Sequence, residues 1–188
     1  MMTNRRQHLR TLLQDHRPAD ALERAHRDAT LALLDGPGDP FSRDHFLPGH
    51  VTASAFVLSP DGASLLLILH GKLHRWLQPG GHVDPEDADV LAAARREVAE
   101  EVGILNVPVS PLATGIVDID VHVIPARKRD PEHRHFDVRF LFQANDLAFS
   151  AGSDAHAGQW VRLTDIPQLE SDASVLRAVG KIQALRQA

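Results

Sequence analysis

Glu97, Glu100 and Glu101 fall within five residues of one another in the stretch RREVAEEVGI, residues 95–104. On a helix, positions i, i+3 and i+4 share a face, so the three carboxylates point the same way. The Glu97–Glu101 pair then costs the helix roughly a few tenths of a kcal/mol, and Arg96, four residues before Glu100, softens that repulsion. A solvated helix face is one reading of such a charge run. A hard divalent cation is the other. Mg²⁺ is held by a few carboxylate oxygens and keeps several waters, which leaves room for phosphate oxygens. Without a cation, neighbouring carboxylates resist joint ionisation.

A second set of reactive side chains follows strand spacing. Asp118, Asp120 and His122 alternate with Val117, Ile119, Val121 and Val123, and His133, His135, Asp137 and Arg139 alternate with Phe136, Val138, Phe140 and Phe142. Period two gives each strand one polar and one apolar face. A hairpin across residues 124–134 would set His122 beside His135, Asp120 beside Asp137 and Asp118 beside Arg139. The face is then either a water-facing surface with ordinary cross-strand pairs, or a functional face. In the second case Asp118, Asp120, His122 and His135 line a substrate pocket, and His122, His133 and His135 are possible metal ligands. Just before the glycine pair at 80–81, His70, Lys72, His74 and Arg75 form a cationic loop that could meet phosphates, or a solvated hairpin end. Trp76 and Trp160 are expected to pack rather than stack on bases. Phe41 and Phe46 lie in a loop that could reach a pocket.

The elements that must position these groups follow from periodicity. The first 34 residues read as helix, with a second segment opening near Pro18 and carrying Ala21, Leu22, Ala25, Ala29 and Leu33 at helical spacing. Gly36 and the sequence GPGDP end it. VTASAFVLS and SLLLILH flank PDG and predict a hairpin. A short extended piece spans residues 76–78. Helical spacing returns over about 88–102, with Leu91, Ala94, Val98 and Val102 as the apolar stripe and Gly103 as its C′ residue. LATGIVDIDVHVI, HFDVRFLFQA and QWVRL predict strands, and a last helix begins near Asp172. The order fits an α+β domain, residues 48–188, with an N-terminal helical extension over residues 1–47.

Composition sets outer limits. The chain has 188 residues, 43% hydrophobic and 24% charged, enough for a core without staples. It has no cysteine, which excludes disulfides, thiolate zinc sites and a cysteine nucleophile, and suits a reducing cytoplasm. A net charge of −5 argues against a broad basic surface for nucleic acid. The N-terminus lacks the apolar stretch of a secretory leader, and LLLIL is far shorter than a membrane span. A soluble, cytoplasmic protein is expected.

The stretch GGHVDPEDADVLAAARREVAEEVGI, residues 80–104, resembles the Nudix box of the Nudix hydrolases. From Arg96 onward the pattern Arg-Glu-apolar-any-Glu-Glu-any-Gly-apolar is matched throughout. The upstream half is one residue longer than the pattern between Gly81 and Arg96, and Asp87 stands near the box's first glutamate. The resemblance implies an α/β/α sandwich around a mixed sheet. It also implies metal-dependent hydrolysis of a diphosphate linkage in a nucleoside diphosphate-type small molecule, by attack of water on phosphorus. Glu97, Glu100 and Glu101 would bind Mg²⁺ or Mn²⁺, with the Gly81 carbonyl as a further contact, and Arg96 would orient the glutamates. The expected partner is a small nucleotide-like substrate, not nucleic acid or membrane, and the N-terminal helices could form a dimer contact or a lid.

Three rivals stand beside it. An isopentenyl diphosphate isomerase of the common type needs a cysteine that this chain lacks. A non-catalytic Nudix-like nucleotide sensor would usually have lost a metal ligand, whereas all three glutamates are present. A metal-free binding domain would leave the glutamates merely solvated. The substrate is not legible from the box. The chain has no tyrosine, so the tyrosine downstream of the box that is typical of some dinucleoside polyphosphate hydrolases cannot occur, and Pro125 comes later than the proline of many ADP-ribose hydrolases.

Overall fold

A computed structural model describes residues 4–71, 74–127, 129–150 and 155–187. The chain opens with helices α1 (Asn4–Asp15) and α2 (Ala21–Asp35). Helix α2 begins after Asp20, not at Pro18, because the Asp20 carboxylate caps it by accepting from the Glu23 N–H. Strands β1 (Gly49–Leu58), β2 (Ser64–His70), β3 (Arg75–Leu77) and β4 (Gly80–His82) lead into helix α3 (Val90–Val102). Asp89 caps the start of α3, and Gly103, at φ 69°, supplies the left-handed residue that ends it. Strands β5 (Ile116–Ile124), β6 (His133–Gln143) and β7 (Ala155–Arg162) follow, and after a short 3-10 turn helix α4 (Ala173–Gln187) closes the chain. Strand β5 starts later than its apolar pattern suggests; Pro111 and Gly115 both disfavour strand before it.

Among the described residues the sheet has seven strands in the order β3-β2-β1-β6-β5, with β4 also on β1 and β7 also on β2. The expected β1–β2 hairpin forms, pairing Val57 with Leu66 and Leu58 with Leu65. The long partner of β1, however, is β6, parallel from Gly49↔Arg134 to Leu58↔Gln143. This central position explains why every residue of β1 is buried.

Helices cover both faces. On one face, Leu9, Leu34, Val98 and Val102 from α1, α2 and α3 pack against Val51, Ala53, Phe136 and Val138. On the other, Val175, Val179 and Ile182 of α4 pack against Phe56, Leu58, Leu65 and Leu141. Each such side chain contributes roughly 1.5–3 kcal/mol when fully buried. The result is the α/β/α layering expected, with the N-terminal helices inside the first core. Beyond its apolar end, the α4 face of β1, β6 and β5 turns polar, through Thr52, Ser54, Asp137, Arg139, Asp118 and Asp120.

Candidate active site

The box glutamates are positioned by strand β4 and helix α3. Strand β4 pairs with β1 through Ser54↔Gly80, Ala53↔Gly81 and Thr52↔His82. Both glycines are needed for close approach. A Cβ on Gly80 would lie 2.2 Å from the Ser54 Cβ, and one on Gly81 would lie 2.6 Å from Glu97 Oε1. The Gly80 N–H donates to Glu101 Oε2 at 2.9 Å. Strand backbone and helix carboxylates therefore meet edge to edge.

Arg96 organises the acids around it. Its guanidinium donates to Glu97 at 2.9 Å, to Glu100 at 3.1 Å, to both oxygens of Asp87 at 3.2 and 3.0 Å, and to the His82 carbonyl at 2.8 Å. Burial opposes its charge, but the Asp87 and Glu97 carboxylates outweigh this and raise its pKa well above the usual arginine value. Asp87 also accepts from the Asp84 N–H at 2.8 Å. From α1, Arg5 donates to the carbonyls of Asp84 and Asp87. The loop that is one residue longer than the box pattern is thus tied down by Asp87 inside and Arg5 outside.

Glu97 is partly buried between these groups, whereas the Glu100 side chain is 58% exposed. Burial pushes the Glu97 pKa up; Arg96 opposes this, and Glu100 and Asp84 add to it. A donor set made of carboxylate oxygens around one guanidinium, with strand backbone in contact, has the hardness and negative charge that Mg²⁺ or Mn²⁺ requires. The site fits such a cation.

The second polar set comes together as its spacing predicts: β5 and β6 pair with His122 opposite His135, Asp120 opposite Asp137 and Asp118 opposite Arg139. Much of this face does not look to water. Asp118 is fully buried beneath α4 and accepts from Arg139 at 3.2 Å, Arg177 at 2.8 Å and Lys181 at 3.4 Å. Its oxygens are taken up by three cations, and it braces the helix against the sheet. Asp120 joins Arg177 at 3.3 Å and His122 at 3.0 Å. Burial would raise its pKa, but the His122 hydrogen bond and the Arg139 charge hold it well below the usual carboxylate range. Asp137 accepts from Thr52, Ser54 and Arg139.

Elsewhere the expectations divide. Arg75 is half-exposed and ion-paired with Asp172 at the start of α4. His70 and His74 close the turn through a His74 N–H to His70 carbonyl bond, and Lys72 lies outside the described residues. Trp76 and Trp160 pack at core edges, Trp160 against Phe149. Phe41 is buried in the first core, while Phe46 packs edge-on against His133.

Spacing missed two members of the histidine group. The rings of His82 and His133 each lie 5.1 Å from that of His50 and 5.2 to 5.3 Å from that of His135, His50 and His135 are 4.8 Å apart, and His122 stands 5.6 Å from His135. The signal for His50 was its period-two alignment with Thr52 and Ser54; it was lost in an otherwise apolar strand. Burial is the main cause that lowers the pKa values of His50, to about 4, and of His82. A cavity of about 770 Å³ lies elsewhere, between α1, the start of β5 and α4, and no box carboxylate lines it.

The model of the NUDIX domain family matches residues 48–179. An RNA pyrophosphohydrolase of Caulobacter vibrioides is 32% identical, over 58% of this chain and 70% of that one. Two solved structures share the fold. One is a C. elegans Ap4A hydrolase in a binary complex, with TM-score 0.53, 20% identity and coverage of 73% of this chain and 97% of that one. The other is a NUDIX-family hydrolase from Clostridium perfringens, with TM-score 0.55, 21% identity and coverage of 72% and 97%. The family match spans most of the chain and contains both the glycine strand and the glutamate helix: the chain belongs to the Nudix hydrolase family.

Proposed function

We propose that this chain is a Mg²⁺- or Mn²⁺-dependent pyrophosphohydrolase that cleaves the diphosphate linkage of a nucleoside diphosphate-type small molecule. The observation that carries this is the convergence of Glu97 and Glu100 on Arg96, with Glu101 on the Gly80 N–H and Gly81 packed against Glu97. Glu97, Glu100, Glu101 and the Gly81 carbonyl would hold the cation. When bound, the cation supplies positive charge against the phosphate oxygens and eases deprotonation of the attacking water. Arg96 holds Glu97 and Glu100 in one orientation, so the carboxylates need little reorganisation when substrate arrives. His122 and His135, beside the box at the open end of the polar face, would contact the substrate, with Asp120 setting the His122 ring. Arg75 would contribute charge at the rim.

The name of the Caulobacter relative supports hydrolysis of a phosphorus anhydride. The net charge of −5 favours a small substrate over an RNA end. Product analysis by ion-pair chromatography tests this directly. The panel comprises nucleoside triphosphates, nucleotide sugars, dinucleotides and a 5′-triphosphorylated RNA, each with Mg²⁺ or Mn²⁺. Metal-dependent cleavage of a small substrate, lost in a Glu100→Gln, Glu101→Gln variant, is expected. Cleavage confined to the RNA would overturn the substrate class. Binding of nucleotide without cleavage would favour a sensor.

A further inference from the structure

We propose that His50, His133 and His135 form a three-imidazole site for a zinc-class transition metal, distinct from the carboxylate site. The parallel β1–β6 pairing brings the sites of His50 and His135 into register, and His133, two residues earlier, shares the same strand face. One ligand nitrogen from each of the three lies within 4.8 Å of the others. A point equidistant from three such atoms is about 3 Å or less from each, against a Zn–N bond of about 2.0–2.1 Å. Ring movements of about an ångström would close the site.

The tautomers fit this use. His50 Nδ1 faces the His45 carbonyl at 3.3 Å, and His133 Nδ1 faces the Pro131 carbonyl at 2.8 Å. A carbonyl only accepts, so both Nδ1 atoms carry the proton and both Nε2 atoms present lone pairs. Backbone carbonyls fix metal-bound histidines in the same way. The His133 and His135 Nε2 atoms face each other at 3.4 Å, so the proton on the His135 Nε2 must move to its Nδ1 when a metal takes up all three lone pairs.

His50 supplies the independent observation. Its side chain is 1% exposed, and its Nε2 is buried with no hydrogen-bond partner among the described residues. A buried nitrogen left unsatisfied costs free energy that a ligand on its lone pair would recover. Phe46 closes the His133 side of the group, and His82 borders it with its ring 5.1 Å from that of His50. Imidazoles select zinc-class ions, while the box carboxylates select harder ones, so two cation types can be held at separate sites.

The experiment uses chelator-stripped full-length protein, reloaded with Zn²⁺, passed through gel filtration and assayed for metal by elemental analysis. Co²⁺ absorption reports ligand type. One retained Zn²⁺ per chain is expected in the wild type and in the Glu100→Gln, Glu101→Gln variant, undisturbed by excess Mg²⁺. In His50→Asn and His135→Gln, Zn²⁺ affinity should drop by more than the tenfold or so that loss of an outer-shell partner costs. Should His50→Asn fail to fold, the less buried His135 reports on the same site. No retained zinc in the wild type, or zinc kept by the folded histidine variants, would overturn the site. So would zinc lost only with the glutamates. None of these results depends on whether a diphosphate is hydrolysed.

Discussion

Gly81 approaches Glu97 so closely that a methyl group on it would stand 2.6 Å from the carboxylate. The atom it would strike is the end of a side chain, which can swing. At Gly80 the added methyl would strike the Ser54 Cβ at 2.2 Å and the Ala53 carbonyl at 2.8 Å, where the sheet itself must move. Gly81→Ala should therefore misplace Glu97 and lower Mg²⁺-dependent turnover by about 10²-fold. Gly80→Ala should cost about 1–3 kcal/mol of stability through overpacking. Urea titrations and initial rates on the two variants separate these effects, and equal stability losses would refute the contrast.

Arg96 spreads one planar fork over Asp87, Glu97, Glu100 and the His82 carbonyl. A lysine carries the same charge but cannot span these partners at once. Arg96→Lys should lower activity and apparent Mg²⁺ affinity by about 10–100-fold, with the loss in rate only partly recovered at high Mg²⁺. Full recovery would mean that Arg96 serves charge balance alone. Wild-type affinity would deny it any positioning role.

Glu23 predicts the acid limb of stability. It is fully buried, and it accepts from His16 at 2.7 Å, from the Ala19 N–H at 2.6 Å, and from Lys181 of α4. Burial alone would raise its pKa, but the His16 and Lys181 hydrogen bonds win and lower it from 4.5 to about 2. A carboxylate with a lowered folded-state pKa gives its stability fully above the unfolded value and loses it as pH falls. The loss here runs from about 4.5 towards 2 and amounts to roughly 3 kcal/mol. Glu23→Gln should be less stable by about that amount at pH 7, and the gap to wild type should narrow below pH 4.5 in chemical denaturation. A gap that stays constant with pH would refute this.

Local pattern carried the helices, the short strands and the β5–β6 register, because periodicity and turn residues act over a few positions. The Glu97–Glu100–Glu101 stripe was legible for the same reason. The β1–β6 pairing was not: it is parallel and joins residues more than eighty apart, and neither strand's own pattern specifies its partner. His50 was missed with it, since its neighbours His133 and His135 come from that pairing. For a related reason, the burial of Asp118 was not legible. Alternation shows that it is on the polar face, but only α4, which closes the chain, makes that face an interior.

That interior offers the sharpest test of how the site is held. Arg139 is 3% exposed and donates to Asp137 at 2.8 Å, Asp118 at 3.2 Å and Ser174 at 3.2 Å. Arg177 meets Asp118 from α4 at 2.8 Å. Replacing Arg139 with Met keeps apolar volume but leaves buried Asp137 without a cation and Asp118 with two in place of three, and removing one partner of a buried pair costs about 3–5 kcal/mol. Arg139→Met should show a loss of this size in urea titration. Adding Asp118→Asn should return part of it, because the excess of buried negative charge left around Asp137 and Asp118 then falls by one. Arg177 and Lys181 keep Asp120 and Glu23 as partners, so that second change should not itself strand a cation. If the double variant were as unstable as the sum of its single variants, Arg139 and Asp118 would be uncoupled. The polar face would then be held by packing alone.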